Sequence, residues 1–302
     1  MIIPDFIKQS SNIGITCPSG YVSSDRVANA VKIFEDKGYN VKKGNTIGKE
    51  YGYFAGTDAE RLADLQAMLD DSNIDAILMG RGGYGMSRII DELDFTSFVK
   101  NPKWLCGFSD ITVLHNHIHT QYGIATLHSP MCGHFKPETL NEDFIKSFFS
   151  ILHGHSFNYY AAASDFNKLG ECEGLLTGGN LALMTHLIGT KSEVDTNDKI
   201  LFIEDVGEYL YSIDRMLMQL KRAGKLDNLK GLIFGGFTDL KDTDRPYGQK
   251  IEEILHDKIK EYNYPVCFNF PCGHQEINYA LAMGIKHKLI VSNNGAELIC
   301  NL

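Results

Sequence analysis

The chain has 302 residues, of which 43% are hydrophobic and 22% charged, and its formal net charge is −9. These proportions are those of a globular protein, and they exclude a disordered, collagen-like or coiled-coil chain. The acidic balance argues against a nucleic-acid binder, and the apolar runs are far shorter than the about 20 residues that cross a membrane. Because domains average about 150 residues, we expect two domains, although one large α/β domain also fits this length.

The N-terminus and the cysteines indicate the compartment. The first residues include Asp5 and lack a basic region followed by a long apolar core, so we expect no secretory signal. The seven cysteines are an odd number, and none forms a Cys-x-x-Cys pair. Such cysteines are typical of free thiols in a reducing compartment, which favours the cytoplasm.

Strands and helices alternate through the first half of the chain. The predicted strands cover residues 12–17, 39–41, 75–79, 103–108 and 124–127. Longer helices are predicted from a Ser24 cap, from a Thr57/Glu60 capping box and from Asp110 to Gly123, with a short one through Ile89 and Leu93. This alternation predicts a doubly wound parallel sheet. Functional residues gather at the carboxyl ends of the strands in such sheets.

The second half is regular only after an interruption. Between residues 135 and 170 the pattern weakens, and we interpret this segment as a connector with some extended structure. Beyond it, we predict helices at 180–188, around 213–220 and at 249–262, and strands at 199–203, 230–237 and 266–270. A hairpin of residues 288–292 and 297–300 is predicted around Asn294-Gly295. The predicted domains are therefore 1–134 and 170–302, joined by 135–169.

The first candidate for chemistry is Ser109, in the sequence Gly-Phe-Ser-Asp at 107–110. A serine at a sharp turn from a buried strand to a helix holds its hydroxyl above the sheet, near helix amides that can stabilise an oxyanion. Ile111 stands where the usual G-x-S-x-G pattern has its second glycine. A plain helix cap at Ser109 or Asp110 explains the sequence equally well.

A glycine-rich loop follows the third predicted strand at residues 80–85. Its glycine spacing and its position differ from a dinucleotide-binding loop. Glycines here favour a close approach of backbone amides to an oxyanion or a carboxylate. Arg81 could pair with a substrate carboxylate, although a solvated surface arginine is an equally good interpretation.

Two further candidates follow strands of the second half. Glu204 closes the apolar run 201–203, where a carboxylate could meet a ligand or form a structural salt bridge. We prefer it to Glu208, which suits the start of the next helix. His274 lies beside a glycine in the loop after 266–270, although a single loop histidine is more often only a surface or packing residue.

A zinc site is the interpretation that His115, His117 and His119 invite. On a helix, His115 and His119 share one face while His117 points away, so the three cannot bind one ion together. The pair would need a third ligand and an acid, as in H-E-x-x-H, which is absent. We therefore expect no metal and no cofactor, and keep a zinc hydrolase as an alternative.

Taken together, the motifs resemble those of the LD-carboxypeptidase family of serine peptidases, which includes the microcin C self-immunity proteins. The resemblance covers nearly the whole chain. Its motifs are RGGYG and SRIIDELDF at 81–95, GFSD at 107–110, TGGNLALMTHLIGT at 177–190, LFIEDVGE at 201–208 with IDRMLMQL at 213–220, and GH at 273–274.

The resemblance implies an N-terminal flavodoxin-like domain with the serine and a smaller C-terminal α/β domain with the acid and the histidine. It places a catalytic triad on Ser109, Glu204 and His274, without a metal. Its carboxypeptidase members hydrolyse the bond from an L-centre to a terminal D-alanine in murein peptides. They are commonly homodimers and act in the cytoplasm in cell-wall recycling.

The resemblance also directs the assignment of the substrate-binding groups. The backbone amides of Asp110 and of Gly82 or Gly83 are the expected oxyanion donors. Arg81 and the amides of the glycine-rich loop are candidates for holding the D-alanine carboxylate. Asn180, at the end of the segment 177–180, is expected to line the site. We expect a murein peptide as partner, and neither nucleic acid nor membrane.

Two alternatives remain open beside the zinc hydrolase. The microcin-immunity members cleave an amide in an aminoacyl-nucleotide antibiotic and would need an aromatic ring to stack on adenine. The single tryptophan, Trp104, lies inside a predicted strand and is badly placed for that. A two-lobed ligand-binding protein without catalysis is the second alternative, and the lack of an export signal weighs against it.

Overall fold

The computed structural model describes residues 1–302 and divides them into two compact units. The first unit comprises Met1–His155 with Tyr279–Ala282, and the second comprises Ser156–Asn278 with Met283–Leu302. The segment that we expected to be a connector is thus shared between the units. No helix is both long enough and apolar enough to span a membrane.

The first unit is built on a parallel sheet. Its strands are β1 (Asn12–Thr16), β2 (Asn40–Lys43), β3 (Ala76–Met79), β4 (Trp104–Gly107) and β5 (Thr126–His128), with β11 (Leu281–Met283) beyond β5. The order is β2-β1-β3-β4-β5, and these neighbours pair in parallel. This is the flavodoxin-like order, so the predicted fold class is confirmed.

Five helices accompany these strands. They are α1 (Ser24–Asp36), α2 (Asp58–Asp70), α3 (Thr96–Lys100), α4 (Thr112–Tyr122) and α5 (Asp143–Leu152). Of these, α1, α2 and α4 are the ones that the sequence patterns predict. The capping box of Thr57 and Glu60 opens α2, and Gly123 ends α4 in the left-handed conformation. The cap of α1 is Ser23 rather than Ser24, because the Ser23 side chain accepts from the amide of Arg26.

Two helices were not predicted from the sequence. The short helix expected through Ile89 and Leu93 is instead two 3-10 turns, and α3 follows them. Helix α5 lies in the segment interpreted as a connector. Its Phe148 ring packs 6.0 Å from Phe34 and 5.1 Å from Phe135. Phe144, Phe148 and Ile151 are buried at helical spacing, so the sequence did carry a local signal for this helix, which the interpretation as a connector overlooked.

The second unit is built on a mixed sheet. Its strands are β6 (Phe157–Ala161), β7 (Gly170–Asn180), β8 (Lys199–Val206), β9 (Gly231–Thr238), β10 (Val266–Cys267), β12 (Lys286–Ser292) and β13 (Gly295–Cys300). The order is β10-β9-β8-β7-β12-β13-β6. The pairings from β10 to β7 are parallel, and those from β7 to β6 are antiparallel.

Three helices cover a face of this sheet. They are α6 (Leu181–His186), α7 (Leu210–Arg222) and α8 (Ile251–Ile259). Leu217 and Ile254 from these helices share one buried apolar cluster with Phe234 of β9. Burial of such side chains supplies the main favourable free energy of folding. The predicted terminal hairpin is present as β12 and β13, with Ser292 paired to Gly295.

Candidate active site

Ser109 lies at the turn between β4 and α4 in the first unit. Its backbone has φ 64°, in the left-handed region that residues with a Cβ rarely adopt. Residues Ser109–Ile111 form a 3-10 turn that leads into α4, and the Ser109 side chain is partly exposed. A strained, accessible serine at the end of a buried parallel strand is the geometry of a nucleophile turn.

The glycine-rich loop passes directly beside this serine. A Cβ placed on Gly82 would lie 2.7 Å from the Ser109 Cβ and 3.0 Å from its Oγ. A side chain at this position would therefore displace the serine, and only glycine allows the close approach. Gly83 follows with φ 108°, a conformation that also favours glycine. The backbone of the glycine-rich loop therefore lies beside the Ser109 hydroxyl, which is where an oxyanion-binding role requires its amides to be.

In the second unit, Glu204 and His274 form a hydrogen-bonded pair. Glu204 lies in β8 and is fully buried, and His274 lies in the loop that follows β10. The His274 Nδ1 lies 2.6 Å from the Glu204 Oε2, which also accepts from the His274 backbone amide at 3.1 Å. Because the carboxylate accepts at Nδ1, the proton resides there and the Nε2 lone pair can act as a base.

The loop that carries His274 is fixed on both sides of the histidine. The Gly273 amide donates to the Asn278 Oδ1 at 2.9 Å, and the Thr238 hydroxyl donates to the His274 carbonyl at 2.5 Å. Gly273 has φ 108°, and a Cβ there would lie 2.7 Å from the Glu204 Cβ. Glycine at 273 thus lets the imidazole approach the buried carboxylate.

The pKa of His274 reflects two opposing effects. Burial favours the neutral imidazole, but the charge of Glu204 and its hydrogen bond outweigh burial, so the pKa lies above the ordinary 6.5. Asp205 and Asp239 act in the same direction. The pKa of Asp205 is itself raised to about 7, by burial and then by the adjacent Glu204 charge.

This raised pKa predicts a specific pH dependence. A base must be neutral, so kcat/KM should rise with pH through the pKa of His274, with an acid limb above pH 6.5. Glu204→Gln removes the charge that raises the pKa, so the limb should move to lower pH while kcat falls. The pH–rate profiles of the wild type and of Glu204→Gln measure the acid limb and kcat. NMR titration of the His274 imidazole in both proteins measures its pKa. Glu208→Gln is the matched control, and an unmoved limb in Glu204→Gln would contradict the assignment.

The other predicted site residues have defined partners. Arg81 is exposed, and its Nη1 donates to the Tyr21 carbonyl at 2.6 Å. Asn180 is buried, its Oδ1 accepts from the Leu183 amide at 3.2 Å, and its Nδ2 donates to the Asp205 Oδ1 at 3.0 Å. Asn180 therefore caps α6, and its placement against a substrate stays a prediction.

The histidines of α4 are engaged with the protein itself. The His115 Nε2 donates to the Gly107 carbonyl at 2.8 Å, and burial lowers the pKa of His115 to about 4. The His119 Nε2 lies 2.9 Å from the Thr126 hydroxyl. No three histidine, cysteine or acidic side chains are close enough to hold one metal ion. These contacts give the histidines a packing role, which disfavours the zinc hydrolase.

Two buried charged residues near these loops, Arg61 and Asp205, were not singled out from the sequence. Arg61 of α2 is fully buried, and its guanidinium donates to the carbonyls of Pro18 and Gly85. Asp205 is buried beside Glu204. The sequence contains a signal for each of these two residues. Arg61 shares a helix face with Leu65, so its guanidinium must find partners inside the protein. Glu204 and Asp205 are consecutive in a buried strand and point to opposite faces, so each carboxylate must also find buried partners.

With a serine at a strand-to-helix turn and a carboxylate-paired histidine, the chain has the features of an α/β serine hydrolase. Comparisons with known proteins give the family. Residues 13–129 match the LD-carboxypeptidase N-terminal domain and residues 173–289 the LD-carboxypeptidase C-terminal domain. The chain belongs to the LD-carboxypeptidase family and is a serine carboxypeptidase.

Individual relatives agree with this assignment. The probable murein peptide carboxypeptidase of Bacillus subtilis is 35% identical over 94% of this chain and 90% of its own. The microcin C7 self-immunity protein of Escherichia coli is 25% identical over 94% of this chain and 90% of its own. The crystal structure of a muramoyltetrapeptide carboxypeptidase from Oxalobacter formigenes superposes with a TM-score of 0.87 at 28% identity, covering 96% of this chain and 99% of that one.

Proposed function

We propose that this protein hydrolyses the amide bond between an L-centre and the terminal D-alanine of murein tetrapeptides, with Ser109, His274 and Glu204 as its catalytic triad. The observation that carries the proposal is the 2.6 Å bond between the His274 Nδ1 and the buried Glu204, in a chain matched by both family domains. It supports a base held in one tautomer and ready to accept a proton at Nε2.

The proposed mechanism is acyl transfer through a covalent intermediate. The Ser109 Oγ attacks the scissile carbonyl while the His274 Nε2 accepts the hydroxyl proton, and Glu204 stabilises the imidazolium. The imidazolium then protonates the amine of D-alanine as the C–N bond breaks. Water, deprotonated by the same histidine, attacks the acyl-enzyme and releases the shortened peptide with Ser109 restored.

The proposed binding groups come from the first unit and from β7. The amides of Asp110 and of Gly82 or Gly83 would donate to the oxyanion, and losing one such donor costs about 3 kcal/mol of transition-state stabilisation. Arg81 is assigned to the substrate carboxylate because its guanidinium is exposed beside the glycine-rich loop. Asn180 is assigned to the lining of the site.

We further propose that the protein works as a homodimer in the cytoplasm, in the recycling of cell-wall peptides. The cytoplasmic assignment is supported by the state of the cysteines. All seven are free, and all but Cys172 are buried. Cysteines of secreted proteins are usually paired in disulfides, so a set of free thiols supports a reducing compartment.

A microcin-type amidase is the second candidate, and one observation favours it. The side chains of Tyr53 and Tyr84 are 55% and 45% exposed, and a Cβ on Gly83 would lie 2.9 Å from the Tyr53 Oη. Exposed rings beside the glycine-rich loop could stack on a nucleobase. Trp104 cannot do so because it is fully buried in β4.

Substrate competition separates the two candidates. The purified protein should release D-alanine from a murein tetrapeptide with a kcat/KM at least about 100-fold above that for an aminoacyl-adenylate amide analogue. Amidation of the terminal carboxylate should abolish most of this preference, because a carboxypeptidase site must pair that charge. Preferential turnover of the nucleotide analogue would overturn the carboxypeptidase assignment.

A further inference from the structure

The Asp110 carboxylate is a buried junction between three loops of the first unit. Asp110 is 1% exposed and directly follows Ser109. Its Oδ2 accepts from the Ser19 hydroxyl at 2.5 Å and from the Met86 amide at 2.7 Å. Ser19 lies in the loop after β1, and Met86 follows the glycine-rich loop after β3. One carboxylate oxygen thus joins the loops that follow β1, β3 and β4.

A further series of contacts connects Ser19 back to Ser109 through the glycine-rich loop. From Ser19 the chain continues to Gly20, whose amide donates to the Gly82 carbonyl at 3.0 Å. Gly82 in turn lies against Ser109, as the 2.7 Å approach of its hypothetical Cβ shows. The position of the Gly82 backbone relative to the Ser109 hydroxyl is therefore fixed through Asp110 as well as by direct contact.

We propose that the Asp110 side chain is a positioning residue that sets the distance between the Ser109 Oγ and the oxyanion-binding amides of the glycine-rich loop. The inference rests on the proposed function, because it takes Ser109 as the nucleophile. An oxyanion donor acts only within about 2.7–3.1 Å of the developing charge, and a displacement of about 1 Å can cost 100-fold in rate. A charge-assisted, buried hydrogen-bond junction supplies the necessary rigidity.

A buried carboxylate that only stabilises the fold would make similar hydrogen bonds. The first unit contains such a carboxylate, Asp64, which serves as a comparison. Asp64 is also buried, and its Oδ2 accepts from the hydroxyls of Thr16 and Thr46 at 2.7 and 2.5 Å. Its Oδ1 accepts from the Asn45 amide at 2.7 Å, so it holds the loop after β2. Asp64 is thus, like Asp110, a buried carboxylate that joins separate segments by hydrogen bonds, but it does not bond to the glycine-rich loop.

The experiment compares kcat and KM for a murein tetrapeptide at a temperature where circular dichroism shows each variant folded. Asp110→Ala should lower kcat about 10²- to 10³-fold and leave KM within about threefold. Asp110→Asn retains an oxygen acceptor and should keep kcat within about tenfold of wild type. Asp64→Ala should lower Tm but leave kcat within about threefold.

Ser19→Ala keeps the Asp110 carboxylate and removes one of its hydrogen-bond donors. It therefore tests the positioning role even if Asp110→Ala does not fold. It should lower kcat about 5- to 20-fold with an unchanged KM. Wild-type kcat in a folded Asp110→Ala or in Ser19→Ala, or an equal loss of kcat in Asp64→Ala, would overturn the positioning role. Failure of the proposed function is seen separately, in a wild-type protein that releases no D-alanine.

Discussion

Replacing Ser109 with alanine should lower kcat for D-alanine release about 10⁴- to 10⁶-fold, the loss expected when a triad nucleophile is removed. The substitution deletes only the hydroxyl. Alanine and serine meet the same steric resistance at φ 64°, so the turn and the melting temperature should change little. Steady-state kinetics with a tetrapeptide, together with thermal denaturation, measure both quantities.

The control for this variant is Ser97→Ala, which removes an exposed hydroxyl from α3 of the same unit. It should leave kcat, KM and Tm at wild-type values. Retention of more than about a tenth of the wild-type kcat in Ser109→Ala would show that the reaction does not use this hydroxyl. Serine catalysis at residue 109 would then be wrong, whatever the substrate.

The elements that sequence patterns predict well are those with local signals. β3 is a continuous apolar run because both faces of a parallel sheet are covered, and α2 begins at a capping box that is visible in four residues. Helix α5 also has such a signal in the helical spacing of its buried Phe144, Phe148 and Ile151, although its sequence was interpreted as a connector. The strand order β2-β1-β3-β4-β5, by contrast, is a property of long-range pairing, and here the resemblance supplied it.

The residues of the candidate site also differ in whether a local sequence signal or a long-range contact determines their role. Ser109, Glu204 and His274 stand out because each lies in or after the end of a strand, where parallel sheets gather functional groups. The bond from Ser19 to Asp110 spans 91 residues and has no local signature. Asp205 lay one residue from a chosen carboxylate, yet its role at the N-terminus of α6 depends on pairing between β7 and β8. The sequence shows which side chains are candidates for the reaction, whereas the partners of the side chains that position them are set by long-range contacts.

The second large effect is expected at His274. His274→Ala should lower kcat about 10⁴- to 10⁶-fold, because neither the serine proton nor the leaving amine then has a partner. His186→Ala, an exposed histidine of α6 in the same unit, should leave kcat unchanged. The same D-alanine assay measures both variants.

The double variant Ser109→Ala/His274→Ala tests whether the two side chains form one catalytic unit. Members of a triad are strongly non-additive, since removing either member already abolishes the shared proton transfer. The double variant should therefore retain about the same residual kcat as the slower single variant, the remainder coming from oxyanion and substrate binding. Independent groups would instead multiply their losses and lower kcat by a further factor of about 10⁴. That result would contradict the triad, because the hydroxyl and the imidazole would then contribute separately to the reaction.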